Sequence, residues 1–217
     1  MSTYKNFLNK LENSLQIAGR RSEDIKLIAV SKKKPITDIQ SVIDEGHLLF
    51  GENQIQEIEK KWPELKKLNS NIELHFIGSI QSRKVESIHQ NCEVIHSIDR
   101  IKVVKLFAEI ENLKNVRRKY FIQINTGNEP QKSGVMLSEA NQFITESIES
   151  YNLNIIGLMS IPPINEDPKT HFLTLADMAK NFNLSSLSMG MSNDFETALE
   201  CGATHIRVGT KIFGERN

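Results

Sequence analysis

The spacing of hydrophobic positions changes once along this chain. Phe7, Leu8, Leu11, Leu15 and Ala18 recur every three to four residues, with Ser2 or Thr3 as a cap and Gly19 as a stop, which predicts a leading helix. From residue 27 onward, short β-rich runs alternate with segments of helical period. The runs are 27–31, 48–51, 74–78, 94–98, 120–125, 155–159, 187–189 and 205–208. Helical stretches lie between them at 36–45, 55–68, 100–113, 138–150, 169–181 and 194–201. Such alternation predicts parallel strands, because parallel neighbours need a crossover and a helix is the usual one. Eight units in 217 residues predict an α/β fold of the (β/α)8 TIM-barrel kind with an additional N-terminal helix, one domain over residues 1–217. The alternative is an open doubly wound sheet. No G-x-G-x-x-G follows the first run, which favours the barrel.

Charge narrows the partners. Lys plus Arg and Asp plus Glu both number 27, so no overall positive excess exists to neutralise a nucleic-acid backbone, and a small-molecule ligand is expected. No apolar run reaches the roughly 18 residues of a membrane span, and the N-terminus lacks the apolar stretch of a signal peptide. The expected location is the cytoplasm. Cys92 and Cys201 are far apart and have no ligand spacing around them, so neither a disulfide framework nor a zinc site is indicated.

In a parallel barrel, functional groups collect where strands end. Reading each strand with period two sorts its residues between interior and helix layer. In the last run Ile206 and Val208 share one face, which leaves His205, Arg207 and Gly209 on the other, and an inward arginine followed by glycine is hard to explain as packing. Gln123 and Asn125 share a face in the fifth run, and His75 and Ser79 in the third. The first run leads into Ser31-Lys32-Lys33-Lys34-Pro35, where Lys32 keeps the parity of Ile28 and Val30. Lys34 has the same parity but lies beyond the strand, next to Pro35, so Lys32 is the stronger amine candidate; solvated loop lysines are the alternative.

A phosphate site is common after strands seven and eight of this fold. There the chain reads Ser188-Met189-Gly190-Met191-Ser192-Asn193-Asp194 and Gly209-Thr210-Lys211-Ile212-Phe213-Gly214. The hydroxyls of Ser192 and Thr210 and the amides near Gly209 suit an anion, whereas simple helix capping by Ser192 or Asn193, with Glu196 closing a capping box, is the competing reading. Asn53, after the second run, is either a ligand to a bound ring or a cap on the next helix; His75 either faces a ring or is a hydrogen-bonded interior histidine. His47, His89, His96, His171 and His205 show no pairing that suggests a metal or a catalytic couple. An amine at one end of the chain and a phosphate cradle at the other make sense if they bracket one phosphorylated aldehyde, and pyridoxal 5'-phosphate (PLP) fits.

Seven stretches together resemble the pyridoxal phosphate homeostasis proteins, relatives of the alanine racemase N-terminal barrel. They are Ala29-Val30-Ser31-Lys32 with Pro35; Phe50-Gly51-Glu52-Asn53; His75-Phe76-Ile77-Gly78 with Gln81 and Lys84; Ile124-Asn125 with Lys132-Ser133-Gly134; Gly157 to Pro163; Leu187 to Ser192; and Arg207-Val208-Gly209-Thr210 with Ile212-Phe213-Gly214. They span nearly the whole chain in family order, with departures at Ser79, Ile80 and Lys211. The resemblance implies that Lys32 forms an internal aldimine with PLP, that Arg207 faces the pyridine nitrogen, and that Ser192, Gly209 and Thr210 contact the phosphate. It further implies a cytoplasmic, often monomeric protein that holds and delivers the cofactor, with transient contact with PLP-dependent apoenzymes and no established turnover.

A working amino-acid racemase is the rival expectation. It requires a second proton-transfer group opposite the lysine, which racemases take from a tyrosine of a further C-terminal domain; this chain ends at Asn217, and none of Tyr4, Tyr120 and Tyr151 falls on the expected rim. A Schiff-base aldolase acting on a sugar phosphate and an interaction module merely stabilised by its cofactor are further alternatives.

Overall fold

The structure, a computed structural model, describes residues 2–215; the expected domain limits at 1 and 217 lie outside them. Eight strands carry the barrel: β1 (Lys26–Val30), β2 (Leu49–Glu52), β3 (Glu73–Phe76), β4 (Val94–Ile98), β5 (Lys119–Asn125), β6 (Ile155–Ser160), β7 (Ser186–Ser188) and β8 (His205–Val208). Each pairs with its sequence neighbour in parallel, and β8 pairs with β1 to close the ring. A two-residue ladder, Val135–Met136, adds to the end of β5. The expected barrel is what forms.

The leading helix α1 (Thr3–Ile17) starts at Ser2, whose Oγ accepts the Lys5 amide, and it buries Phe7, Leu11 and Leu15. It is followed by α2 (Ile36–Asp44), α3 (Ile55–Leu68), α4 (Val85–Asn91), α5 (Ile101–Lys114), α6 (Leu137–Thr145), α7 (Pro168–Asn181), α8 (Phe195–Glu200) and α9 (Thr210–Phe213). Two of these were not expected from the sequence. Helix α4 has only two turns, preceded by a 3-10 turn at Ser82–Lys84, and α9 has only four residues, so neither offers enough positions for a period to stand out. The helix expected over 138–150 is α-helical only to Thr145 and then widens into a π turn, Glu146–Ser150. There the Ser147 hydroxyl donates to the Phe143 carbonyl four residues back at 2.7 Å, a contact that loosens a helix.

Parity divides the strands as a barrel requires. Leu27, Ala29, Phe50, Leu74 and Ile122 belong to one continuous core under the helices, while Val94, Phe121 and Met159 form a separate small cluster. Both cysteines are buried, and burial pushes both thiols above their ordinary range. The register Ile28↔Arg207 sets β1 beside β8, so Lys32 and the loop after β8 become neighbours although they lie near opposite ends of the sequence.

Candidate functional site

A cavity of about 760 Å3 opens at the C-terminal ends of the strands. Lys32, Asn53, Ser192, Arg207, Gly209 and Thr210 all line it. Lys32 enters from the end of β1 and is partly buried. Lys34, the other candidate amine, is drawn off: its Nζ donates to the carbonyls of Phe213 (3.0 Å) and Gly214 (3.2 Å), where it caps the C-terminal end of α9.

Asn53 does not cap α3. The residue at that cap is Gln54, without a side-chain bond, and Asn53 Oδ1 is buried with no hydrogen-bond partner. Asn53 lines the cavity, and a buried carbonyl oxygen left unsatisfied costs free energy unless a partner donates to it. Gly78 makes room for this arrangement, since a Cβ there would collide with the Asn53 backbone.

The far side of the cavity is built from the ends of β7 and β8. Thr210 Oγ1 donates to Ser192 Oγ at 3.0 Å, which brings the two hydroxyls onto one spot. Met191 O accepts from the amides of Asp194 and Phe195, and Gly209 O from those of Ile212 and Phe213. The first-turn amides of Ser192, Asn193, Thr210 and Lys211 therefore have no acceptor within their own turns and can face an anion. The capping box expected between Asn193 and Glu196 does not form, because Glu196 is held by Lys10 at 3.1 Å and by Ser14. Gly209 also packs close, and a Cβ on it would lie 3.2 Å from the Val30 carbonyl.

Arg207 forms the floor. It is buried, its Nη1 donates to Ser188 Oγ at 2.6 Å, its Nη2 donates to Ser160 O at 3.0 Å, and burial lowers its pKa to about 10, which leaves it cationic at neutral pH. Below it runs a hydrogen-bonded file that the sequence did not reveal. His96 Nδ1 lies 2.8 Å from Ser188 Oγ, His96 Nε2 lies 2.8 Å from His75 Nδ1, and His75 Nε2 lies 2.9 Å from Glu73 Oε1. Burial lowers the pKa of both histidines, so both imidazoles are neutral. One donor assignment then satisfies every member: Arg207 donates to Ser188, Ser188 to His96, His96 to His75, and His75 to the Glu73 carboxylate.

This corrects the sequence reading at His75 and extends it at His96. His75 does not line the cavity, because both ring nitrogens are engaged in the interior; it is a hydrogen-bonded barrel histidine. His96, for which the sequence suggests neither a metal nor a catalytic couple, is the centre of the file and stacks on Phe121 with centroids 4.4 Å apart. The available signal was two histidines on interior positions of adjacent strands, His75 on β3 and His96 on β4. Among the described residues, no group of three His, Cys, Asp or Glu is arranged to hold a metal ion.

A barrel with an amine after β1, an arginine floor on β8 and anion donors after β7 and β8 defines a class. Residues 8–217 match the family model described as alanine racemase, N-terminal domain. The chain is 35% identical to the pyridoxal phosphate homeostasis protein of Aquifex aeolicus, over 96% of this chain and 95% of that one. It belongs to the pyridoxal phosphate homeostasis protein family. Among solved structures, PipY of Synechococcus elongatus with PLP bound superposes with a TM-score of 0.81 at 28% identity, covering 93% of this chain and 99% of that one. An alanine racemase of Clostridium difficile, 13% identical, shares the fold at a TM-score of 0.73, with 94% of this chain matching 55% of that one.

Proposed function

We propose that this protein binds pyridoxal 5'-phosphate through Lys32 and serves in intracellular PLP homeostasis, storing the cofactor and releasing it to apoenzymes. When bound, the cofactor supplies an aldehyde carbon that bonds reversibly to an amine nitrogen with loss of water. The observation that carries the reading is the convergence on one cavity of the Lys32 amine, the unsatisfied Asn53 Oδ1, the Arg207 floor and the paired hydroxyls of Ser192 and Thr210. In that reading Ser192, Gly209 and Thr210 hold the phosphate, Asn53 accepts from the ring's edge, and Arg207 faces the ring nitrogen. A guanidinium there does not favour protonation of that nitrogen, which leaves the ring a weak electron sink and suits retention better than turnover. His75 is not retained among the cofactor contacts.

The racemase reading lacks support at the site. Tyr4 bonds to His47 (3.1 Å), Tyr120 donates to Glu111 (2.9 Å), Tyr151 lies under Lys105, and none of the three lines the cavity. As part of the same proposal, residues 1–217 act as one domain, as a monomer, in the cytoplasm; no helix among the described residues is long and apolar enough to cross a membrane.

The test is a visible spectrum of purified protein with added PLP, followed by borohydride reduction and peptide mapping. The expected result is a coloured complex and a pyridoxyl group on Lys32, both absent in Lys32→Ala. A protein that stays colourless and unlabelled with excess PLP overturns the proposal. L-Alanine incubated with the loaded protein in heavy water should keep its α-hydrogen; rapid steady-state exchange with formation of D-alanine would establish the racemase instead.

A further inference from the structure

The turn that carries Lys32 is held from outside the cavity by groups that the binding site does not use. On one side of Lys32, the Ser31 amide donates to Gly51 O (3.0 Å) and the Ser31 hydroxyl to Glu52 Oε1 (2.9 Å). On the other side, the Lys33 amide donates to Glu57 Oε2 at 2.7 Å. Between the two carboxylates sits Lys61, on α3. Its Nζ donates to Glu52 Oε1 (2.6 Å), to Glu57 Oε2 (2.9 Å) and to the Ser31 carbonyl (3.2 Å), which uses its three N–H bonds.

Two features set this cluster apart from ordinary surface pairing. Lys61 and Glu52 are buried, with side-chain exposures of 9% and 0%, and a buried ion pair is weak as a source of stability because desolvating the charges offsets their attraction. Its value lies in fixing geometry. Lys33, meanwhile, adopts φ 61°, a left-handed conformation unfavourable for a side chain of this kind. The other non-glycine residues recorded at positive φ are all asparagines, Asn115, Asn128, Asn152 and Asn183, which tolerate it. A lysine stays there because the Glu57 carboxylate grips its amide.

We propose that Lys61, braced by Glu52 and Glu57, is a positioning residue for Lys32: it locks the 31–34 turn in the shape that points the Lys32 amine into the cavity, and so favours covalent capture without touching the ligand. The inference rests on the function proposed above. Capture by an amine depends on how often the nitrogen occupies bonding range of the carbon, so a turn free to relax lowers the yield of the bond while leaving phosphate and ring contacts in place.

The test compares pyridoxal 5'-phosphate with pyridoxine 5'-phosphate, which has the same ring and phosphate but an alcohol in place of the aldehyde. The ratio of the two dissociation constants isolates the contribution of Lys32. In Lys61→Met and in Glu57→Ala, the aldehyde's advantage should fall about tenfold while alcohol binding stays within about twofold of wild type. Glu57→Gln, which keeps an acceptor for the Lys33 amide, should recover part of that advantage. Glu57 is partly solvent-facing, so its variants decide the matter if Lys61→Met does not fold, as judged by circular dichroism and Tm. Loss of packing alone weakens both ligands together and leaves the ratio unchanged; that outcome overturns the proposal. A wild-type protein with no preference for the aldehyde overturns the Lys32 function itself, and this inference with it. A preference that survives in the variants overturns only the inference.

Discussion

The two ends of the barrel interior use similar polar residues to opposite effect. In the lower half, Glu73, His75, His96 and Ser188 are spent on one another, each donor meeting an acceptor within 2.9 Å. At the mouth, Asn53 Oδ1 is buried and unpartnered, and Lys33 holds a strained backbone. A closed network rigidifies and specifies a fold, whereas open valences and strain mark the place where a ligand completes the structure. Arg207 belongs to both halves, with its guanidinium tied downward to Ser188 while it lines the cavity above.

Substitution at each end should give opposite balances of stability and binding. The largest effect is expected for His96→Ala, which removes the ring stacked on Phe121 and strands the facing groups of His75 and Ser188. A loss of about 3–5 kcal/mol in denaturant unfolding is expected. A loss under about 1 kcal/mol would erase the contrast.

Acid should come next, and its sign follows from the buried neutral imidazoles. Burial lowers the His205 pKa from 6.5 to about 3. Above pH 6.5 neither folded nor unfolded state is protonated there and the group contributes nothing. As pH falls below 6.5 the unfolded chain takes up the proton first, so stability declines, by about 2 kcal/mol at pH 5 from His205 alone. His75 and His96 shift in the same direction. Glu73, held down to about 2 chiefly by its bond from His75, keeps its contribution through this window and loses it only as pH falls from 4.5 toward about 2. Unfolding midpoints measured from pH 7 to 5 should therefore fall steadily; a flat profile would mean that the histidines are charged in the folded state.

At the mouth the balance reverses. Asn53→Ala should leave unfolding free energy within about 0.5 kcal/mol of wild type, since the oxygen it removes has no partner, yet weaken PLP binding about tenfold by titration. The smallest effect is expected for Lys33→Gly, a gain of about 0.5–1 kcal/mol in thermal unfolding as the left-handed strain is relieved.

Strand parity made the mouth legible in the sequence. Lys32 follows Ile28 and Val30 inward, and Arg207 and Gly209 oppose Ile206 and Val208, because a period of two is written locally. What parity cannot give is the match between strands. The His75–His96 contact depends on β3 and β4 pairing with His75 opposite Val94, a register that no local pattern states. Lys61 was equally hidden. On a helix rich in lysine and glutamate it looks like one more solvated charge, and only the approach of α3 to the ends of β1 and β2 turns it inward. Asn53 shows a third limit: spacing alone suits a helix cap as well as a ligand contact, and only the backbone path after β2, which puts Gln54 at the cap, removes the first.

The burial of Cys92 and Cys201 has a practical consequence. Thiol reagents attack the thiolate, and both sulfurs are shielded from solvent with their thiols kept protonated. The folded molecule thus carries two silent labels of its own. The rate at which they react, followed with and without cofactor, clocks how often the barrel comes apart.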